Sequence, residues 1–239
     1  MVKAGLIIFD GHEQYLVKMR RILQILCMGL CMGPALVRAQ QAPFQSEIDA
    51  FRRLDSLQRP PAQPILFAGS SSIRGWKTLA QDFQGYPVLN RGFGGSSLPD
   101  LIRFVHETIV QYNPRQVYIY CGENDLAASD TVTPRMVRDR FRQLYRILRH
   151  SLAPRTPIVF LSIKPSVARW QLQDRFIETN RLIRAFISKK RKVSYVDVHS
   201  PMLDATRNVR PELFIADNLH MNAAGYAIWT SVIAPTLHL

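Results

Sequence analysis

Short apolar runs alternate with longer segments of helical period along most of the chain. The apolar runs predict five β-strands, at Ile65 to Ala68, Pro87 to Asn90, Gln116 to Cys121, Ile158 to Ser162 and Ser194 to Val198. The segments between and after them repeat apolar residues every three or four positions and predict helices at Leu98 to Tyr112, Pro134 to Leu152, Trp170 to Lys190 and Ala223 to Ile233. Strands and helices that alternate in this way form right-handed crossovers. The pattern therefore predicts an α/β fold, in which helices cover both faces of a five-stranded parallel sheet.

The amino-terminal part of the chain has a different pattern. Two arginines precede an apolar run over residues 22–32, and small residues follow it up to Ala39. This arrangement predicts a secretory signal peptide over residues 1–39, with Met19 as an alternative start of synthesis. The apolar run is short for a bilayer span, and an uncleaved amphipathic anchor is the alternative interpretation. We expect a secreted or periplasmic protein without stable membrane insertion after cleavage.

The remainder of the chain is sized for one folded domain. Residues 40–63 predict a helix from Ser46 to Leu57 followed by a proline-rich linker, and residues 64–239 predict the domain itself. A chain of 239 residues with 47% hydrophobic composition can bury a core of its own. After cleavage Cys121 is the single cysteine left, so no internal disulfide can form. The sequence leaves the oligomeric state open.

The chain is strongly basic. Its formal net charge is +13, and residues 1–39 contain five basic and two acidic groups, so a chain that begins at Gln40 carries +10. A basic surface attracts anionic partners in general. Six arginines of the predicted helix at Pro134 to Leu152 surround an apolar stripe, which favours a solvated face over a binding patch. Because no zinc-finger spacing or RNA-binding aromatic signature accompanies them, no nucleic-acid partner is expected.

Polar residues follow three of the predicted strands and precede the last helix. A Gly-Ser-Ser-Ser run at residues 69–72 follows the first strand, Gly-Gly at 94–95 follows the second, and Gly-Glu-Asn-Asp at 122–125 follows the third. Asp217 and His220 precede the last helix. Because parallel strands deliver their carboxyl ends to one edge of a sheet, we expect these side chains to converge there.

The converging residue types are those that acyl transfer from an ester needs. That reaction requires a hydroxyl nucleophile, a base, a group that orients the base, and donors for the developing oxyanion. His220 is the candidate base, and Asp217 lies close enough along the chain to hold its ring. The backbone N–H groups of Ser71 and Gly95 and the side-chain amide of Asn124 are the candidate oxyanion donors. This chemistry requires neither a metal nor an organic cofactor.

Three alternative interpretations accompany this one. His199 is a second candidate base, because Asp197-Val198-His199 ends a predicted strand at the same edge. Asp217 and His220 are also a candidate metal pair, although no Cys or Glu partner lies at a familiar spacing. The serine run alone would fit an ordinary polar turn.

The first polar stretch resembles the opening block of the SGNH or GDSL hydrolase family. The run Phe67-Ala68-Gly69-Ser70-Ser71-Ser72 is similar to the family's Gly-Asp-Ser run. Ser70 stands in the place of the aspartate and Ser71 in that of the nucleophile. Ile73 and Arg74 replace a commoner Thr-Glu pair, so the hydrogen bonds around this turn must differ. We interpret the chain as a Gly-Ser-Ser-Ser-Ile variant of the family.

The other stretches match the remaining blocks in order, and the resemblance extends from about Pro64 to Ala234. Gly95 and Asn124 match the family's two oxyanion residues, and Asp217 with His220 matches the last block. The resemblance implies a flavodoxin-like three-layer αβα sandwich. It also implies a hydrolase that cleaves acyl or acetyl esters through an acyl-enzyme on Ser71.

The family resemblance leaves the substrate open among several classes. Family members act on short acyl chains, lysophospholipids or acetylated sugars, and we expect a glycan acetyl ester or another small acyl ester. A lysophospholipase or platelet-activating-factor acetylhydrolase activity is the first alternative. A non-catalytic glycan- or lipid-binding module on the same fold is the second.

Overall fold

The computed structural model of the protein describes residues 42–238. The predicted signal peptide over residues 1–39, with its alternative start at Met19, lies outside this range. In the part of the chain that is described, no helix has the length and apolar character needed to cross a membrane.

Five strands form one parallel sheet in the order β2-β1-β3-β4-β5. They are β1 (Ile65–Gly69), β2 (Val88–Gly92), β3 (Gln116–Tyr120), β4 (Ile158–Leu161) and β5 (Val193–Val196). All five predicted strands are present. The last ends at Val196 rather than Val198, because the Val198 N–H donates to the Ser162 hydroxyl (2.9 Å) instead of extending the sheet.

Nine α-helices connect or follow the strands. They are α1 (Gln45–Leu57), α2 (Ser71–Arg74), α3 (Leu79–Asp82), α4 (Leu98–Arg103), α5 (Val105–Thr108), α6 (Glu123–Ala128), α7 (Pro134–Ser151), α8 (Gln173–Ile187) and α9 (Ala223–Ile233), all within residues 42–238. Short 3-10 helices lie at Val110–Tyr112, Val167–Leu172, Ser200–Met202, Pro211–Leu213 and Ala234–Thr236. The four-residue α2 and α3 escaped the sequence analysis because they show little more than one turn of helical pattern.

Two predicted helices are shorter than expected. The helix predicted over Leu98 to Tyr112 is broken at Phe104, whose backbone leaves helical geometry while its buried ring packs edge-on against Phe93. The helix predicted over Trp170 to Lys190 begins only at Gln173. A 3-10 segment precedes it, with non-helical backbone at Arg169. Tertiary contacts have overridden the local pattern in both places.

Two hydrophobic cores lie on opposite faces of the sheet. Successive residues of β1 alternate between them, since Leu66 faces one core and Phe67 the other. The first core is covered by α1, α4, α7 and α8, and the second by α2, α3 and α9. This arrangement confirms the three-layer αβα sandwich and the flavodoxin-like strand order.

The arginine-rich helix α7 buries the apolar stripe that its sequence predicts, formed by Val137, Phe141, Leu144 and Leu148. Its arginines are not uniformly solvated, however. Arg140 pairs with the fully buried carboxylate of Asp125 at 2.8 Å. Arg149 donates to the backbone carbonyl of Thr156 at 2.5 Å. Two of the six cations therefore bond outside α7, one to helix α6 and one to the loop before β4.

Candidate active site

Ser71 stands at the point where the sheet's strand order reverses. The strand β1 ends at Gly69, which has φ +136°, and a Cβ there would lie 1.9 Å from the carbonyl oxygen of Tyr120 on β3. Glycine is therefore required for this close approach of the two strand ends. Ser70 then donates its N–H to the same carbonyl (3.0 Å), and its own carbonyl accepts the N–H of Ile73 (2.9 Å). These bonds start α2 and make Ser71 its first residue.

The structure places His220 against Ser71. The two side chains meet with 2.9 Å between His220 Nε2 and Ser71 Oγ. On its other side, His220 Nδ1 lies 2.6 Å from Asp217 Oδ2. The other carboxylate oxygen of Asp217 accepts the backbone N–H groups of Leu219 and His220, each at 2.9 Å. Carboxylate, imidazole and hydroxyl thus form one hydrogen-bonded line.

The charge of Asp217 decides which imidazole nitrogen carries the proton. Partial desolvation raises the pKa of Asp217, but the hydrogen bonds from His220 and Leu219 outweigh it and lower that pKa to about 2. An ionised carboxylate only accepts hydrogen bonds. His220 Nδ1 must therefore donate to Asp217, and in the neutral imidazole this leaves Nε2 as the acceptor for the Ser71 hydroxyl.

Ser71 is distinguished from its two serine neighbours by this contact. Ser70 and Ser72 are each only 2% exposed. The Ser72 carbonyl accepts the hydroxyl of Tyr226 from α9 (3.0 Å), which fixes the turn from behind. Of the three serines, Ser71 is the one whose hydroxyl bonds to the imidazole.

His199, the second candidate base, lies elsewhere. Its side chain is buried, and its Nε2 lies 2.9 Å from the Gln173 side-chain amide rather than beside a serine hydroxyl. Burial lowers the pKa of His199 despite the nearby Asp197 carboxylate. His199 therefore packs as a neutral residue between α8 and the segment after β5.

Gly95 lies on the loop that follows β2, with φ +73°. The loop is held by Glu47 of α1, whose carboxylate accepts the Gly94 N–H at 3.0 Å and the Arg74 guanidinium at 3.2 Å. Within the described part of the chain, the backbone N–H groups of Ser71 and Gly95 have no hydrogen-bond acceptor. Both are available to a ligand.

Asn124 is in the first turn of α6, directly after β3. Its amide nitrogen donates to the Ser96 carbonyl at 3.0 Å, and its amide oxygen accepts from the Arg169 guanidinium, also at 3.0 Å. A guanidinium has no acceptor atom, so this contact determines which end of the amide is oxygen. One N–H of the Asn124 amide remains for a further acceptor.

If Asn124 is the oxyanion donor that the sequence predicts, Asn124→Ala should lower kcat for ester hydrolysis by about two to three orders of magnitude. KM should change much less, since the ground-state ester carries little charge there. Steady-state kinetics with p-nitrophenyl acetate measure both constants. Asn208→Ala, which removes an amide from an exposed turn, serves as the control, and an unchanged kcat in Asn124→Ala would remove Asn124 from the mechanism.

Several residues around the site were not found by sequence reasoning. Glu47 and Arg169 carry no local signal, because each belongs to an ordinary polar position of a helical segment. Lys164 does have a local signal, because a lysine is unusual so close to the end of an apolar strand and directly after Ile163. It is almost fully buried. Residues 42–238 contain no cluster of three or more His, Cys, Asp or Glu that is arranged to hold a metal ion.

A serine hydroxyl, an imidazole and a carboxylate in line at the carboxyl edge of a parallel sheet have the arrangement of a hydrolase's catalytic triad. Residues 59–228 match the model of the GDSL-like lipase/acylhydrolase family, and the chain belongs to this family. It is a carboxylic ester hydrolase. A comparison with curated protein sequences found no match to the chain.

Solved structures with the same fold cover most of the chain. A protein of Streptococcus pneumonia, described provisionally as a platelet activating factor, is 18% identical with a TM-score of 0.70, and the match covers 93% of this chain and 99% of that protein. A GDSL-like lipase of Bacteroides thetaiotaomicron is 18% identical with a TM-score of 0.66, and the match covers 80% of this chain and 97% of the lipase. An acetylxylan esterase of Geobacillus stearothermophilus is 15% identical with a TM-score of 0.58, and the match covers 72% of this chain and 93% of the esterase. At these identities the likeness shows the fold.

Proposed function

We propose that the protein cleaves carboxylic esters through a covalent acyl-enzyme on Ser71. The observation that carries this proposal is the hydrogen-bonded line from Asp217 through His220 to the Ser71 hydroxyl. A serine hydroxyl is a weak nucleophile until a base removes its proton. Nε2 of His220 has the free lone pair and the position to do so.

The reaction proceeds in two halves. In the first, His220 takes the proton of Ser71 as Oγ attacks the ester carbonyl carbon, and it then gives this proton to the departing alcohol. In the second, His220 takes a proton from water as the water oxygen attacks the acyl carbon, and it then gives this proton to Ser71 Oγ as the bond between Oγ and the acyl carbon breaks and the carboxylic acid is released. In both halves the tetrahedral oxyanion accepts hydrogen bonds from the N–H groups of Ser71, Gly95 and Asn124.

The proposed substrate is a glycan acetyl ester or another small acyl ester. The side chains of His220 and Asp217 are 35% and 43% exposed, so a bulky polar alcohol group can approach the nucleophile. In the described range the large exposed apolar side chains are Leu54, Leu57, Met136, Ile177 and Ile215. Only Ile215 lies on the loop of His220, which offers little apolar surface to a long acyl chain. An acetylxylan esterase has the same fold, which is therefore compatible with this choice.

A chain-length series distinguishes this proposal from a lipid esterase. Hydrolysis of p-nitrophenyl acetate faster than that of the octanoate, together with acetate release from acetylated xylooligosaccharides, would support a small-acyl esterase. A preference for the octanoate, or for lysophospholipid, would instead support the lipid alternative.

We also propose that the protein is exported. The pattern of residues 1–39 supports a cleaved signal peptide, and amino-terminal sequencing of the exported protein should begin at Gln40. A chain that still begins before Ile22 would contradict cleavage.

Labelling with an organophosphonate tests the nucleophile directly. We expect one modified peptide, which contains Ser71, because the reagent reacts with an activated serine and stops at a stable tetrahedral adduct. The peptide should lose its label in His220→Ala and keep it in Ser72→Ala. Native protein that stays unlabelled would favour a non-catalytic binding module.

A further inference from the structure

A buried cluster of charges lies next to the proposed catalytic residues. It consists of Tyr120, Glu123, Lys164 and Arg169, here called the Glu123 cluster. The Glu123 carboxylate accepts the Tyr120 hydroxyl at 2.6 Å and pairs with Lys164 at 3.4 Å and with Arg169 at 3.0 Å. The Lys164 and Glu123 side chains are 1% and 5% exposed. The Glu123 carboxylate thus contacts the last residue of β3 and two residues of the segment that follows β4.

Such a cluster is costly to bury, and stability alone does not account for it. Burial lowers the pKa of Lys164, which Glu123 opposes. Burial alone would raise the pKa of Glu123, but Lys164 and Arg169 together hold it below its usual value. Buried ion pairs are often replaceable by apolar residues without loss of stability. The role of each charged group is therefore better indicated by its contacts outside the ion pairs than by the ion pairs themselves.

One cation of the cluster supports the loop that carries the base. Lys164 Nζ donates to the backbone carbonyl of Leu219 at 2.9 Å, and Leu219 lies between Asp217 and His220. Four residues further on, the Ala168 N–H donates to the Asn218 carbonyl at 3.0 Å. The segment after β4 therefore fixes the backbone of this loop at two successive carbonyl groups.

The other cation of the cluster supports the amide of Asn124. Arg169 uses the same guanidinium nitrogen to contact Glu123 Oε1 and Asn124 Oδ1, each at 3.0 Å. This contact sets the orientation of the Asn124 amide. Glu123 is thus the common anchor of the base and of one oxyanion donor, although it touches neither the imidazole nor Ser71.

We propose that Glu123 is a positioning residue that, through Lys164 and Arg169, holds His220 and Asn124 in register around Ser71. The proposal rests on the proposed function, since it assigns Glu123 a part in the same reaction. The nucleophile, the base and the oxyanion donor come from three separate segments, and each must lie at the correct distance from the reacting ester carbon. A misplacement of about 1 Å costs on the order of 10²-fold in rate.

The variant Glu123→Gln tests this role because it keeps the shape of the side chain and removes its charge. We expect kcat for p-nitrophenyl acetate to fall about 10²-fold while KM stays within about threefold, since Glu123 contacts no substrate. Leu148→Ala is the matched control. Leu148 is buried near the carboxyl end of α7, at the end of the sheet away from Ser71, so we expect its truncation to lower the melting temperature and to leave kcat unchanged. A wild-type kcat in folded Glu123→Gln would overturn the proposal.

A double-mutant cycle separates positioning from general destabilisation. If Glu123 acts partly through Asn124, then Glu123→Gln should cost clearly less in an Asn124→Ala background than in the wild type. Fully additive effects would overturn the connection to Asn124. A wild-type protein that is neither labelled nor hydrolytically active would instead refute the proposed function itself. Failure of the proposed function and failure of the Glu123 proposal are therefore distinguishable.

A second variant keeps the proposal testable if Glu123→Gln does not fold. Arg169→Met removes the more exposed cation and leaves Lys164 and Glu123 as a neutral pair, so no unpaired charge stays buried. We expect a fall in kcat of about tenfold or more with little change in KM, because one point of support of the Asn124 amide is lost. Arg169→Lys should rescue little, since an ammonium lacks the planar geometry of the guanidinium. An unchanged kcat in Arg169→Met would overturn the arm of the proposal that runs through Asn124.

Discussion

Ser71→Ala is expected to abolish hydrolysis of p-nitrophenyl acetate, with kcat reduced on the order of 10⁴–10⁶-fold. The hydroxyl of Ser71 is the one that bonds to the His220 imidazole, at 2.9 Å. Without it the proposed acyl-enzyme cannot form, and only the proposed oxyanion donors and the bound substrate would contribute to the remaining rate. Active-site titration before the kinetic measurement excludes contamination by a host esterase.

The neighbouring serines are the matched controls for this variant. Ser70→Ala and Ser72→Ala remove hydroxyls of the same turn that do not contact the imidazole, and both variants should keep a kcat within about tenfold of the wild type. Loss of activity in Ser70→Ala or Ser72→Ala with activity retained in Ser71→Ala would assign the nucleophile to a different serine.

His220→Ala should lower kcat as strongly as Ser71→Ala, and the double variant should be scarcely worse than either single one, because the two side chains act as a unit. His199→Ala is the matched control, since its ring packs against Gln173 and does not contact Ser71. A larger loss of activity in His199→Ala than in His220→Ala would refute the assignment of the base.

The pH profile adds an independent test of the same assignment. Partial desolvation raises the pKa of Asp217, but its hydrogen bonds lower that pKa to about 2, so we expect a loss of activity well above that pH to come from another group. The imidazole must be neutral to accept the serine proton. Activity should therefore fall as the pH is lowered. A kcat that does not fall at any acid pH at which the protein stays folded would exclude a histidine base.

The sheet was predictable because each strand carries its own signal. Strands that are buried on both faces appear in the sequence as short continuous apolar runs. The runs at Ile65 to Ala68 and Ile158 to Leu161 have this pattern and are fully buried strands. Helix boundaries were predicted less well. The break at Phe104 and the late start of α8 depend on a ring packed against Phe93 and on contacts of Arg169, which no local pattern contains.

The proposed catalytic residues were also accessible from the sequence, because the carboxyl ends of parallel strands share one edge. Ser71, Gly95 and Asn124 each lie within four residues of the end of a strand. The residues that hold them were not accessible in this way. Glu47 contacts Gly94 from 47 positions away in the chain, and Lys164 contacts Leu219 from 55.

The sequence by itself determined the parallel sheet, the edge at which chemistry is possible and the candidate nucleophile, base and oxyanion donors, because strand periodicity and the residues at strand ends are local properties. Only the tertiary structure decided that His220 rather than His199 reaches Ser71, a contact between residues 149 positions apart. It also decided that Glu123 is anchored between two cations, since packing in three dimensions determines which distant side chains share one buried site.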